Sequence, residues 1–504
     1  MVNKATKERK TAFRKNGIKV EIKELITEIK ELYLSDDIPW VVGYSGGKDS
    51  TASLQLIWIA LQDMLPSSRH KAVHVISTDT LVENPIVAQW VIKSHKKIIE
   101  SAEEQNLPIQ SHLLTPTIQD SFWVNMIGKG YPAPRHKFRW CTMRLKINPS
   151  NAFIKSMVHK NGEAIVILGT RSAESIARAK VIAKYKEKRV REKLSPNGSL
   201  PNCFVYSPIE DWSNDDVWQF LMLYKNPWNH DNKSLLTMYQ GASEDGECPL
   251  VVDTNTQSCG DSRFGCWVCT LVDKDKSMTA MIQNDQDKEW MLPLLEFRNE
   301  MDFRGKEDAE KKKRDFRRMG GQVNFNKFDG KTVRGPYAQP AREDWLRRLL
   351  EAQKWIRKHG PEEVREINII TLDELREIRR IWLVEKHEFE DNLPKIYKEI
   401  TGVEFPDDKY YNLGVGSDSL KILKNICGEN RIQYEMIREL LDVEHHYRTM
   451  TRRSGLFSAL ENAIKRSYYE DIEDAANIAK YRYESKQKIR DEFAPEEIEK
   501  GNKK

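Results

Sequence analysis

Cysteine is scarce in this chain, seven in 504 residues, and no uninterrupted apolar run approaches the roughly 18 residues that a membrane span requires. The first excludes a disulfide scaffold and the second a helical membrane protein. Residues 1–18 are polar and basic and lack the apolar stretch of a secretory leader, so the expected location is cytoplasmic. There the cysteines serve metal binding or chemistry rather than cross-linking. A strong charge of either sign is missing too. The 81 Lys plus Arg stand against 76 Asp plus Glu, a net +5, so bulk charge does not diagnose a nucleic-acid partner and local clusters must carry that argument. Internal repeats are absent as well, while the length allows two or three domains with ample cores.

What is present is an alternation of helical and strand patterns. Ile22, Leu25, Ile26, Ile29, Leu32 and Tyr33 recur at helical spacing, ahead of the strand-like run 39–44. Residues 51–64 then read as a helix, 71–77 as a strand, 84–103 as a helix, 107–114 as a strand and 151–160 as a helix. The continuous apolar run 164–168 reads as a strand covered on both faces. This rhythm predicts an α/β fold with a parallel sheet. Beyond residue 285 amphipathic helices take over, for example around Leu372, Leu375, Ile378, Ile381 and Trp382.

Between the first strand and the helix after it stands Ser45-Gly46-Gly47-Lys48-Asp49-Ser50. Gly46 and Gly47 let backbone N–H groups approach phosphate oxygens, Ser45 and Ser50 offer hydroxyls and Lys48 offers charge. Asp49 suits Mg²⁺ beside a nucleotide. The spacing does not fit the Walker pattern, which places four variable residues before its Gly-Lys pair. The plain alternative is a Gly-Gly turn between strand and helix. Asp79 ends the next strand at the carboxyl edge where open parallel sheets bind ligands, and is read either as a contact to Mg²⁺ or nucleotide or as the cap of a turn. Gly169, Arg171, Glu174 and Arg178 follow the strand at 164–168. The two arginines can neutralise phosphate and Glu174 can position one of them. Residues 208–218 carry Trp212, Ser213 and Trp218, read as a capped helix packed by Trp218 and Leu221.

Cys248, Cys259, Cys266 and Cys269 are spaced C-x10-C-x6-C-x2-C, compact enough for one four-thiolate site. Such a site suits an iron-sulfur cluster or Zn²⁺. One close pair joined by two widely spaced cysteines weighs toward iron-sulfur, since zinc ribbons carry two close pairs. Cys141 stands apart, and neighbouring Arg139, Arg144 and Lys146 are expected to favour its thiolate. That thiolate suits a sulfur carrier or nucleophile, with an inert buried thiol as the alternative. Cys203 and Cys427 read as core or surface residues.

The loop at 45–50 resembles the SGGxDS loop of the PP-loop ATP pyrophosphatases. Residues 169–175, 208–218 and the Arg139-Trp140-Cys141-Thr142 segment are similar to its PAPS reductase-like branch. Taken with the four-cysteine segment, residues 40–280 resemble the DndC-type sulfurtransferases of bacterial DNA phosphorothioation systems. The resemblance implies an adenine nucleotide alpha hydrolase-like domain with a five-stranded parallel sheet over residues 1–245, an iron-sulfur segment of the 4Fe-4S kind over 246–285, and a helical region over 286–504. It implies an enzyme with ATP pyrophosphatase activity that adenylylates a DNA backbone phosphate and exchanges a non-bridging oxygen for sulfur. ATP, Mg²⁺ and the cluster are the implied cofactors. DNA, a cysteine desulfurase and other phosphorothioation subunits are the implied partners, with no membrane.

Two basic runs fit a phosphate backbone: 178–193, with eight Lys or Arg against Glu187 and Glu192, and 311–318, which interleaves Phe316. Solvated helices show similar runs. Three other readings stay open: a PAPS or APS reductase, a tRNA thiolase, and a non-catalytic iron-sulfur or zinc subunit that binds DNA.

Overall fold

The computed structural model describes residues 11–13, 17–191, 193–243, 264–325, 332–407 and 416–493. It divides into two compact units, one of residues 1–122, 134–301 and 352–369, the other of 123–133, 302–351 and 370–504.

The first unit is built on a six-stranded sheet. Its strands are β1 (Trp40–Gly43), β2 (Val73–Thr78), β3 (Ile109–Leu114), β4 (Ala164–Ile167), β5 (Ser195–Pro196) and β6 (Cys203–Tyr206), in the order β3-β2-β1-β4-β6-β5. The five strands β3, β2, β1, β4 and β6 run parallel, and β5 closes one edge antiparallel. Helices α1 (Ile18–Leu34), α2 (Lys48–Gln62), α3 (Pro85–Glu104), α4 (Asn148–Asn161), α5 (Ile176–Lys186), α6 (Asn214–Leu223) and α7 (Asn232–Gly241) connect and cover the strands.

Alternation along the strands explains a core on both faces. Trp40 and Val42 of β1, with Ile165 and Ile167 of β4, face one core, shared with α1, α2 and α6. Val41, Ala164 and Val166 face the other, with Ile154 of α4 and Cys203. Val41, Val42, Ile165 and Ile167 are fully buried, each worth roughly 1.5–3 kcal/mol. The expected helices and strands of this unit are present, with ends shifted by a few residues.

Helix α6 starts where Ser213 marks it. The Ser213 hydroxyl accepts from the Asp216 N–H at 3.1 Å, and the Asp216 carboxylate accepts from the Ser213 N–H at 2.8 Å, which is a reciprocal cap. Asp216 also accepts from the Ala12 N–H at 3.1 Å, so the same carboxylate pins the start of the described chain. Trp218 and Leu221 are buried, as their spacing predicts.

Topology fixes where a ligand belongs. From β1 the chain winds outward through β2 to β3, then returns past β1 to lay down β4 on its other side. The carboxyl ends of β1 and β4 therefore flank the point where the winding reverses, and a crevice opens there in sheets of this kind.

The second unit is helical but includes a two-residue hairpin, β7 (Asn324–Phe325) with β8 (Thr332–Val333), which the fading of strands beyond residue 285 did not suggest. Trp345, Leu346, Leu349 and Leu350 are buried in it. So are Leu375, Ile378, Ile381 and Trp382, whereas Leu372, first in its helix, is exposed. The segment 123–133 threads this unit: the Trp382 indole N–H donates to the Ile127 carbonyl at 2.9 Å and the Tyr337 N–H to the Gly130 carbonyl at 2.6 Å. Among the described residues no helix is long and apolar enough to cross a membrane.

Candidate functional site

The loop after β1 is shaped by its own hydroxyls and by two distant aromatics. The Ser45 N–H donates to the Ser50 hydroxyl at 3.1 Å, and that hydroxyl donates to the Gly47 carbonyl at 3.0 Å. Gly46 turns in the left-handed region, φ +73°, where a Cβ would also meet Val91 at 2.7 Å, so only glycine fits. The Trp90 indole donates to the Gly46 carbonyl at 3.0 Å. The Tyr239 hydroxyl accepts from the Lys48 N–H at 3.3 Å while its ring sits under the Lys48 ammonium, 5.2 Å away. No side chain caps the first turn of α2, leaving an electropositive helix end beside the glycines.

Across the crevice, the β4 loop is pressed against this turn. A Cβ on Gly169 would lie 2.6 Å from the Asp49 carbonyl oxygen and 2.9 Å from the Ser50 nitrogen. That close approach carries Arg171 in. Its Nε donates to Asp49 Oδ1 at 2.7 Å and its Nη1 to the Trp212 carbonyl at 3.3 Å, and the residue is 4 % exposed. Lys48 Nζ stands 3.5 Å from the other oxygen of Asp49. Burial lowers the Lys48 ammonium from its ordinary value and the Asp49 charge opposes that shift. Two cations thus share one carboxylate at a helix N-terminus, and the surplus positive charge is what an anionic ligand would meet.

Of the two arginines, Glu174 holds the side chain of Arg178. It accepts from the Arg171 N–H at 3.0 Å and pairs with Arg178 at 3.2 Å, so Asp49 is what aims the Arg171 side chain. Asp49, expected beside Mg²⁺, is engaged by Arg171 and Lys48. Asp79 caps the turn after β2, accepting from the Leu81 N–H at 2.8 Å, with burial raising its carboxyl.

At that same turn Cys266 and Cys269 are docked. The Trp267 N–H donates to the Val82 carbonyl at 3.0 Å, and the Cys269 N–H to the Cys266 carbonyl at 3.0 Å. Arg298, 1 % exposed, donates to the carbonyls of Cys269 at 2.9 Å and Asp273 at 3.1 Å, fixing the chain leaving the pair. Cys266 lies 3.4 Å from the Thr80 hydroxyl and 3.7 Å from a Glu83 carboxylate oxygen. Burial and then Glu83 push its thiol up to about 12, against the pull of Lys146. Lys146 pairs with Glu83 at 3.2 Å. Burial draws its ammonium down, but Cys266 and Glu83 outweigh this and raise it.

Cys141 is half-buried and close enough to Cys269 for that thiol's charge to act on it. The basic neighbours do not lower its pKa. Arg144 is turned to Asp120 at 2.9 Å, Arg139 to His136 at 3.1 Å and Lys146 to Glu83. Burial above all, with Cys269 adding to it and hydrogen bonding from Thr142 opposing it, raises the Cys141 thiol instead, which corrects the expectation of a favoured thiolate. Cys248 and Cys259 lie outside the described residues. Among the described residues no group of three or more His, Cys, Asp or Glu side chains is arranged to hold a metal ion. Cys203 and Cys427 are buried, as core residues should be.

The basic runs are partly spent within the protein. Lys186 and Arg189 pair with Glu210, Arg191 with Asp36 and Lys193 with Glu28, so four of the five cations in the second half of the 178–193 stretch are paired locally. In the 311–318 run Lys311, Lys313, Arg314 and Arg317 are paired with Asp308, Asp344, Glu310 and Asp315.

Trp90, Tyr239, Glu83 and Arg298 went unnoticed in the sequence. The first two stand 44 and 191 positions from the loop residues they hold, and no local pattern links them.

Residues 39–271 match the phosphoadenosine phosphosulfate reductase domain. An uncharacterized protein of Methanocaldococcus jannaschii is 26 % identical over 204 residues, 40 % of this chain and 35 % of that protein, so the match spans about a third of that relative's length. A crystal structure of phosphoadenylyl-sulfate (PAPS) reductase from Candida auris, in a phosphate complex, is 14 % identical and overlays with a TM-score of 0.25, covering 41 % of this chain and 86 % of that one.

Proposed function

We propose that the PAPS reductase-like domain at residues 39–271 belongs to an ATP-dependent sulfurtransferase that activates a phosphate of the DNA backbone. The observation that carries this reading is the shared carboxylate: Lys48 and Arg171 converge on Asp49 at the glycine-lined crevice between β1 and β4. When a nucleotide enters, its phosphates compete with Asp49 for both cations, while the open first turn of α2 and the hydroxyls of Ser45 and Ser50 supply donors. Asp49, so released, is positioned to help hold Mg²⁺ on the phosphates. Asp79, Gly169 and Arg178 border the same carboxyl edge.

In this reading a non-bridging oxygen of the DNA phosphate attacks the α-phosphorus of ATP and expels pyrophosphate. Sulfur supplied by a cysteine desulfurase and carried on Cys141 as a persulfide then attacks the DNA phosphorus and expels AMP. An external dithiol cleaves the S–S bond and leaves the phosphorothioate. Lys48 and Arg171 neutralise charge building on the phosphates in the first step. Cys248, Cys259, Cys266 and Cys269 would hold an iron-sulfur cluster, with Zn²⁺ as the alternative metal. Other phosphorothioation subunits would handle the DNA, and the setting would be cytoplasmic.

A second reading, reduction of a sulfonucleotide, is favoured by the family match itself and places a nucleophilic thiol at the same edge. The two separate on the nucleotide product. Anaerobic protein incubated with ATP, Mg²⁺, DNA, a sulfur donor and partner subunits is expected to release pyrophosphate and AMP, stimulated by DNA and lost in Lys48→Met. Sulfite released from PAPS, with no pyrophosphate from ATP, would overturn the first reading.

A further inference from the structure

The second unit contains a cavity of about 270 Å³ lined by eight Lys or Arg and five Asp or Glu side chains. Every one of those five acids is already in an ion pair. Asp315 and Glu435 are held by Arg317 and Arg431, Glu388 by Arg342, Glu439 by Arg466 and Glu385 by Arg380. The arginines thereby form a fixed, charge-matched wall. The surplus positive charge falls on residues the wall leaves over.

Lys386 is chief among them. It is only partly exposed, and among the described residues no carboxylate lies within ion-pair distance of its ammonium. Burial, then the Arg342 charge, draws that ammonium down to about 8 against the pull of Glu388, Asp315 and Glu385, each of which is already held by an arginine. The chain around it is held firmly. The Lys386 N–H donates to the Ile381 carbonyl at 3.0 Å, and the next residue, His387, turns at φ +55° with its ring 2.9 Å from Asp442. Arg318, also on the lining, donates to the Arg334 carbonyl at 3.0 Å and has no acidic partner among the described residues.

A larger opening of about 510 Å³ adjoins this cavity, with Gly321 and Arg466 lining both. The larger opening adds Arg482, Lys465, which pairs with Glu461 at 2.6 Å, and Tyr468, which is 66 % exposed. A half-buried cation beside an open groove with a further cation and an uncovered aromatic ring is what a polynucleotide strand requires: phosphates for the cations and a ring for a base. An isolated inorganic ion would use only the half-buried cation.

We propose that this groove is a phosphodiester-binding site, in which one backbone phosphate of a polynucleotide seats on Lys386 and an adjoining base stacks on Tyr468. The site stands on residues of the second unit alone, independently of the nucleotide crevice.

The test is binding of a fluorescein-labelled single-stranded oligonucleotide to the full-length chain as a function of salt, for the wild type, Lys386→Met and Tyr468→Ala. Lys386→Met is expected to weaken binding about tenfold and to flatten the plot of log affinity against log salt by about 0.7, one phosphate contact on a single strand. Tyr468→Ala is expected to weaken binding at unchanged slope, since stacking releases no counterion. Lys386→Arg, keeping the charge, should retain the slope and thereby distinguish charge from misfolding. Equal affinity and slope in the wild type and Lys386→Met overturn the proposal. So does competition by polyglutamate as strong as that by unlabelled oligonucleotide, which would mark a site for acidic protein. Competition by inorganic phosphate alone, with no loss in Tyr468→Ala, would reduce it to an ion site. Lys48-dependent pyrophosphate release is read in parallel, so that loss of one activity without the other separates this site from the crevice.

Discussion

The tightest packing in the crevice is at Gly169, and a single methyl there tests the geometry. In Gly169→Ala the added Cβ would fall 2.6 Å from the Asp49 carbonyl oxygen, 2.7 Å from its carbon and 2.9 Å from the Ser50 nitrogen. All three are backbone atoms, so no side chain can swing aside. Restoring an ordinary contact near 3.4 Å requires the β4 loop and the start of α2 to part by roughly 0.8 Å. Overpacking of this kind costs about 1–3 kcal/mol, which at about 2–4 °C per kcal/mol lowers the melting transition by roughly 2–12 °C. The functional cost should be larger than the stability cost suggests. Arg171 rides on the displaced loop and Lys48 on the displaced helix, and a misplacement near 1 Å of positioning groups costs on the order of a hundredfold in rate. The assay is pyrophosphate release from ATP by the folded variant well below its melting temperature, beside calorimetry. Gly416→Ala, whose Cβ meets nothing within 4 Å, is the control. Wild-type release with an unchanged melting transition would refute the close approach and with it the Asp49–Arg171 contact as a working part of the crevice.

Two further outcomes follow from groups that titrate. His74, His95 and His230 are buried, and burial above all holds each imidazole down at about 4 against an ordinary 6.5. The unfolded chain therefore takes up protons first, so stability is full above pH 6.5 and falls as pH drops toward 4, by up to about 3 kcal/mol for each ring. Urea midpoints at pH 7 and pH 5 should show this loss, and His95→Gln should lessen it; a pH-independent midpoint would contradict the burial. Cys141→Ser should abolish sulfur transfer while pyrophosphate release persists. If the variant instead loses an iron-sulfur absorption band with no change in transfer, Cys141 belongs among the ligands near Cys269.

Much of the first unit was legible because its signals are local. Val41-Val42 and the 164–168 run alternate or fill in as buried parallel strands must, Ser213 and Asp216 cap α6 three residues apart, and the glycines at 46 and 47 announce a turn. The crevice was legible as an edge, since strands and loops alternate in the right order. Its wiring was not. The Arg171–Asp49 contact spans 122 positions, and local spacing offered Glu174 as the nearer partner for an arginine. Charge density misled for the same reason: Lys186, Arg189, Arg191 and Lys193 read as a phosphate track until the fold brings Glu210, Asp36 and Glu28 beside them. Sequence proximity also suggested that Arg139, Arg144 and Lys146 would ionise Cys141, whereas each has another partner.

The threading of residues 123–133 has a consequence for how the chain is made. Trp123, Val124, Met126 and Ile127 are fully buried, yet the indole that bonds the Ile127 carbonyl belongs to Trp382, 255 positions later. At synthesis speeds of about 5–20 residues per second, that partner leaves the ribosome roughly 13–50 s after the segment it covers. During that interval a short apolar strip waits without its native cover. The first unit cannot be completed by simple vectorial folding from its amino end either, because residues 352–369 also belong to it. Pulse-labelled nascent chains released before residue 382 should accordingly be captured by hydrophobic-strip holdases, and chains extended past that point should escape them.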